Sequence, residues 1–419
     1  MNKKMVPEVR FKGFIDDWEQ VKLSDLTEFH KQGFYTTESY DESKKYYLLR
    51  GTDLTGNKLT IHDDTPKINA SEKEFNDFKV EVGDVLLVRS GGVGTYGIVY
   101  DEVQGIFGSY LIDFRFDQTQ MLNEFFGYFY ESDLFKQQLR RISQQSANLN
   151  INAENIKSIS IDLPSIEEQK KIEGILKQID NLIALQQRQL DLYIKLKKGL
   201  LQKLFPKDGE KVPEVRFTDF HGDWEQHKFQ EILDKNNGIR RGPFGSSLKK
   251  DLFVKNSDYV VYEQQNAIYN NFHTRYFITK EKFQELIKFE LNPGDFIMSG
   301  AGTIGKIAKV PNDIKKGVFN QALIRFRINN SIMDGRFFLQ WMRSEFMQRR
   351  LTSSNPGSAI VNLIPMSELK KWTVIVPKRD EQKVLGKILN KLDSTIALQH
   401  EQLDELKSLK KYLLQKLFI

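Results

Sequence analysis

The chain has no cysteine in 419 residues, which excludes disulfides, thiolate zinc sites and cysteine nucleophiles but does not by itself name a compartment. Its six histidines are scattered. With no His-x-x-x-His pair and no carboxylate cluster at ligand spacing, no metal site is expected. Long apolar runs are missing too. Behind Met1 to Met5 comes Val6-Pro7-Glu8-Val9-Arg10, so neither a signal peptide nor a membrane span is expected, and the cytoplasm is the expected location. Charge is only mildly unbalanced, at +6 with a pI near 9.0, a weak pointer to a polyanionic partner. What is present is globular: 40% apolar, 12% aromatic and 28% charged residues with a mean hydropathy of -0.48. The length suits two domains or more.

The dominant feature is duplication. Val6-Pro7-Glu8-Val9-Arg10-Phe11 returns as Val212-Pro213-Glu214-Val215-Arg216-Phe217, and Asp17-Trp18-Glu19-Gln20 as Asp223-Trp224-Glu225-Gln226. Gly83-Asp84 and the glycine-rich stretch Ser90 to Gly97 are echoed by Gly294-Asp295 and Ser299 to Gly305. Pro164 to Phe205 aligns without gaps on Pro377 to Phe418, with 23 of 42 positions identical. The ends of the halves are shared and the middles diverge, as expected of two like modules that present different surfaces on a common frame.

The closing stretches carry apolar residues at heptad-like spacing. One line holds Ile172, Ile179, Tyr193 and Leu200, matched by Leu385, Leu392, Leu406 and Leu413. A second holds Ile175, Leu182 and Leu196, matched by Ile388 and Leu409, and a third holds Leu176, Ile183, Leu190 and Leu204. Two helices of about 40 residues and about 60 Å are expected. Gln186 and Gln399 interrupt the stripe at matching places. They either meet in an antiparallel seam and fix its register or both face solvent.

The modules read as α+β, with boundaries near 160, 207 and 375. Val85 to Val88 and Phe296 to Met298 are strand-like, and Phe125 to Leu139 and Arg336 to Leu351 helical. Gly92 to Gly97 and Gly300 to Gly305 fit G-x-G-x-x-G, yet strand-like residues follow where a dinucleotide site needs a helix, so hairpin turns are expected. Glu368-Leu369-Lys370 resembles a nuclease E-x-K triplet, but the first half lacks it at Asn155 to Lys157. Asn292-Pro293-Gly294-Asp295 lacks the second proline and aromatic of an amino-methyltransferase motif. No catalytic residues are expected.

For DNA contact the richest stretch is Gly238 to Lys250. Arg240, Arg241, Lys249 and Lys250 suit phosphates, while Ser246 and Ser247, with Gln264, Gln265 and Asn266 beyond, suit base edges. First-module candidates are Lys31, Gln32, Tyr35, Arg50, Arg89 and Tyr96.

Taken in order, the Trp-Glu-Gln openings, the Gly-Asp to Gly-Thr-x-Gly segments, the P-x-x-x-E-Q-K helix starts at Pro164 and Pro377 and the repeated helices resemble the specificity subunits of type I restriction-modification systems. The stretch from Arg241 to Lys249 resembles one class of their target-recognition domains. The resemblance implies two tandem, pseudo-twofold-related recognition domains, 1–160 and 207–374, with antiparallel coiled-coil spacer helices at 161–206 and 375–419. Each domain would read half of a bipartite site, with no cofactor on this chain. Two modification subunits would bring S-adenosylmethionine for adenine methylation, and two restriction subunits ATP and Mg. The alternatives are a coiled-coil scaffold, an RNA-binding protein, or a fused nuclease-methyltransferase, which would require catalytic motifs.

Overall fold

The computed structural model describes residues 6–37, 39–41, 43–89, 94–142, 151–352 and 365–419. The chain divides into two units: Met1–Arg188 with His400–Ile419, and Gln189–Gln399. Each long helix, Ile166–Lys203 and Arg379–Lys416, begins in one unit and ends in the other.

Unit 1 holds a sheet ordered Thr27–Gln32, Leu111–Phe116, Val85–Val88, Tyr96–Ile98, Lys58–Leu59, Leu54–Thr55, and a second ordered Lys67–Ile68, Tyr46–Leu49, Gly105–Phe107. Unit 2 repeats the plan. Its first sheet runs Ile239–Arg241, Leu323–Phe326, Phe296–Ser299, Ile307–Lys309, and its second Tyr276–Ile278, Tyr259–Tyr262, Gly317–Phe319. The addition in unit 1 is the hairpin Leu54–Thr55 with Lys58–Leu59, turned through Gly56 and Asn57, both at positive φ, as a two-residue hairpin loop requires.

The glycine-rich segment of unit 2 is a hairpin loop. Phe296–Ser299 pairs antiparallel with Ile307–Lys309, and Gly302 and Gly305 take positive φ, open to residues without a Cβ. In unit 1 Val85–Val88 pairs antiparallel with Tyr96–Ile98, while Ser90 to Val93 lie outside the described residues. The Gly-Asp motif closes a turn before the strand: Asp84 accepts from Glu81 N and Asp295 from Asn292 N. Each then pairs with an arginine, Arg115 at 2.5 Å and Arg327 at 2.7 Å.

The helical stretches before the long helices differ from expectation by a break. Asn123–Glu131 and Asp133–Ile142 are separated at Ser132, and Gly335–Arg343 and Glu345–Thr352 at Ser344. Both serines have extended backbone, and each hydroxyl accepts the amide three residues on, from Phe135 or Met347. A serine so placed starts a new helix instead of continuing the old one.

The repeated ends meet in space. Glu19–Lys22 pairs with Ser160–Leu163, and Glu225–Lys228 with Thr373–Val376. Arg10 reaches Glu168 through two bonds of 2.7 and 2.8 Å, and Arg216 reaches Glu381 at 2.8 and 2.7 Å. Gln169 accepts from Leu122 N and donates to the carbonyls of Gln120 and Pro164. Gln382 does the same with Asp334 N, Ile332 and Pro377. The Glu-Gln of each helix start therefore clamps leader and module to the helix through buried, fully partnered polar groups.

Within each unit the helix segments run antiparallel. In unit 1 Asp180 pairs with Lys410 and Gln186 donates to Gln402, while in unit 2 Asp393 pairs with Lys197. The first apolar line is buried or half-buried at Ile172, Ile179, Tyr193, Leu200, Leu385, Leu392, Leu406 and Leu413, and so are Gln186 and Gln399. The third line is inside with it, at Leu176, Ile183, Leu190 and Leu204. The second line corrects the sequence expectation at most of its positions: Leu182, Leu196, Ile388 and Leu409 are exposed, while Ile175 is half-buried against the unit 1 core. The helices pack through the first and third lines, four residues apart, and a straight helix cannot also bury the second line, on the far flank, along its length.

Candidate nucleic-acid interface

Strand registers fix which residues of the two modules correspond. Gln32 faces Ile112, and Arg241 faces Ile324. The next residues, Gly33 and Gly242, donate to Leu111 O and Leu323 O. A Cβ at either glycine would collide with a backbone carbonyl, that of Gly108 or Asn320, so the chain must pass as glycine. Beyond it Tyr35 stands 75% exposed and Phe244 89% exposed.

Beside Tyr35 lies a cavity of 530 Å³ lined by Phe34, Tyr40, Leu48, Arg50, Val88 and Tyr110 among others, with Tyr40 and Tyr110 exposed. Beside the corresponding turn of unit 2 is a smaller one of 320 Å³, lined by Pro243, Lys250, Phe253, Glu263, Arg275 and Asn320 among others. Arg275 and Glu263 pair at 2.9 Å, and the carboxylate raises the arginine pKa.

The expected contact residues fall into three groups. Gln32, Tyr35, Arg241, Ser246, Lys249 and Lys250 are exposed and Ser247 is half-buried, and of these Arg241 donates through Nε to Gln321 O at 3.3 Å. Others are engaged inside the protein. Lys31 donates to Asp77 O at 2.7 Å and lies 4.2 Å from the Phe78 ring centre. Arg50 is held by Asp53 at 3.3 Å. Gln264 donates to Ala301 O and Thr303 O, and Gln265 to Glu263 at 3.5 Å. Arg240 donates to Asn237, while its Nε and that of Arg89 are buried without a hydrogen-bond partner.

Two residues require correction. Tyr96 is 2% exposed, edge-on to Tyr130, and Asn266 is 1% exposed. Asn266 caps its own turn, accepting from Glu263 N and donating to Asn271 O and His273 O. Neither offers an edge to a duplex. The exposed rings of Phe244, Tyr40 and Tyr110, which stand at these turns and at the larger cavity, were not among the expected contacts. For Phe244, matching Gly33-Phe34-Tyr35 with Gly242-Pro243-Phe244 would have found it. Among the described residues no group of histidines and carboxylates could hold a metal ion, and no helix is long and apolar enough to cross a membrane.

The family model for the type I restriction modification DNA specificity domain matches the chain twice, over residues 15–195 and 222–408. The chain is 22% identical over 411 residues to the type I restriction enzyme MjaVIII specificity subunit of Methanocaldococcus jannaschii, covering 96% of this chain and 92% of the relative. To the putative MjaX specificity subunit of the same organism it is 22% identical over 418 residues, covering 96% and 93%. The fold is similar to the crystal structure of a type I restriction-modification S subunit from M. genitalium, with 14% identity, 99% of both chains covered and a TM-score of 0.59.

Proposed function

The chain belongs to the type I restriction-modification DNA specificity family and carries its domain twice, and from that premise we propose that each module reads one half of a bipartite DNA site while the long helices set the gap. Membership makes it a specificity subunit, supplying recognition and no bond-breaking chemistry. The observation that carries the half-site reading is the repeated sheet plan with unlike residues at matching positions, Gln32 against Arg241 and Arg50 against Glu263. Like frames with unlike surfaces suit two different half-sites.

On this reading the recognition domains are 1–160 and 207–374, and the spacers 161–206 and 375–419. Two modification subunits carry S-adenosylmethionine chemistry at adenine, two restriction subunits carry ATP and Mg, and the assembly works in the cytoplasm. Of the contacts first expected, Gln32, Tyr35, Arg241, Ser246, Lys249 and Lys250 are exposed and Ser247 half-buried, which suits a DNA contact. Inserting four residues beside Gln186 lengthens that helix by about 6 Å. Methylome sequencing of cells carrying the variant and its partners is expected to show both half-sites kept and the gap changed. An unchanged gap rejects the spacer role.

A further inference from the structure

We propose that Tyr35 and Phe244 are matched base-stacking residues, each lying against a base step that its own module opens in the bound duplex. The inference rests on the DNA-reading function proposed above and goes further by naming the contact. A single exposed ring on a protein surface is ordinary. Here the ring recurs at one register position in two modules whose middles otherwise diverge, two residues past a glycine that the neighbouring carbonyl makes obligatory.

The backbone around each ring is tied down, Phe34 N to Phe107 O at 2.8 Å and Ser247 N to Phe244 O at 2.9 Å. The rings are thus held outward on fixed supports. Close to Phe244 in the sequence lie the exposed cations Arg241, Lys249 and Lys250, which suit phosphates on either side of an opened step. Tyr35 stands at a cavity of 530 Å³ with Tyr40, Tyr110 and Arg50, a set of planar faces and one guanidinium that suits a nucleobase. Every base has a π-face, so one residue class serves both modules while the divergent polar groups beside it distinguish sequences.

The test uses the full chain with its modification partner on a duplex carrying the site found by methylome sequencing. 2-Aminopurine replaces each half-site adenine in turn. The expected result is a fluorescence rise in one half-site that Tyr35→Ala abolishes and Phe244→Ala leaves intact, with the reverse in the other half. Each alanine variant is expected to lose about 5- to 150-fold in affinity, with the dependence of log K on log salt unchanged because no charge is removed. Tyr35→Phe and Phe244→Tyr are expected to keep both signals. Wild-type affinity and fluorescence in the alanine variants overturn the stacking role and leave DNA reading standing. A wild-type complex that binds no duplex overturns DNA reading, and the stacking role with it.

Discussion

In the middle of the strand Leu111–Phe116 unit 1 buries Asp113, and at the same register position unit 2 buries Arg325. Beside the tie between the long helices, Glu131 joins Lys410 at 2.7 Å in unit 1, and Arg343 joins Asp393 at 3.2 Å in unit 2. At the edge of the cavities Arg50 stands where unit 2 has Glu263. The ties that hold the frame are duplicated with the same sign: Arg10–Glu168 and Arg216–Glu381, Arg115–Asp84 and Arg327–Asp295, Lys410–Asp180 and Lys197–Asp393. The difference teaches where the modules are interchangeable. A cut through the shared frame keeps every tie, whereas a graft inside a module sets an inverted charge against partners of the wrong sign.

The largest expected effect probes the shared part. Glu168→Ala leaves Arg10, 14% exposed at its side chain, without its carboxylate, at a cost of about 3–5 kcal/mol confined to unit 1. Glu381→Ala does the same in unit 2 and costs more, because Glu381 also accepts from Trp224 Nε1 at 3.3 Å while Trp18 Nε1 has no partner. Denaturant melts read with hydrogen exchange for each unit check the order. Equal losses in the two variants would overturn that order, and a loss below about 1 kcal/mol in one of them would break the equivalence of the two ties.

Next comes the inverted pair. No donor reaches either carboxyl oxygen of Asp113, and burial, followed by the charge of Asp84 and a hydrogen bond that a protonated Asp113 gives it, raises its pKa. A carboxyl whose folded pKa is raised stays protonated while its unfolded counterpart ionises. Stability of unit 1 therefore falls as pH climbs above the ordinary carboxylate range near about 4. Asp113→Asn is expected to stabilise unit 1 by about 1–3 kcal/mol at pH 8 and by less at pH 5. A gain independent of pH would sink this account. Arg325 answers differently: burial pushes its pKa down to about 10, yet it donates to Glu290 O and Asn237 O and stays charged at neutral pH.

The smallest effect concerns binding. Removing Lys249 and Lys250 together is expected to flatten the salt dependence of duplex binding by about 0.9 for each phosphate the two amines neutralise. Lys31→Ala is expected to leave the slope alone because its amine already serves Asp77. Anisotropy titrations over a salt series separate the two variants. A larger slope change for Lys31 would reverse the contrast.

The frame was legible because duplication exposes it: the leaders, the Trp-Glu strands, the Gly-Asp turns and the Glu-Gln helix starts sit at the ties just described. The hairpin reading of the glycine-rich segments came from the strand-like residues after them. Burial was less legible. Periodicity places Ile388 and Leu409 on an apolar flank without saying that the partner helix misses it. Composition makes Asn266 a base reader until its cap is seen, and Tyr96 a surface ring until Gly127 is found leaving room for it. The match of Tyr35 with Phe244 needs strand register, which divergent middles conceal.

Val9 N donates to Lys416 O at 3.1 Å, and Val215 N to Lys203 O at 3.0 Å. In the second case a short stretch of chain separates the two residues; in the first, nearly the whole of the sequence does. The same stitch is thus sewn once along the thread and once between its far portions. The tie therefore depends on where leader and helix end lie in the fold, and not on the length of chain that joins them.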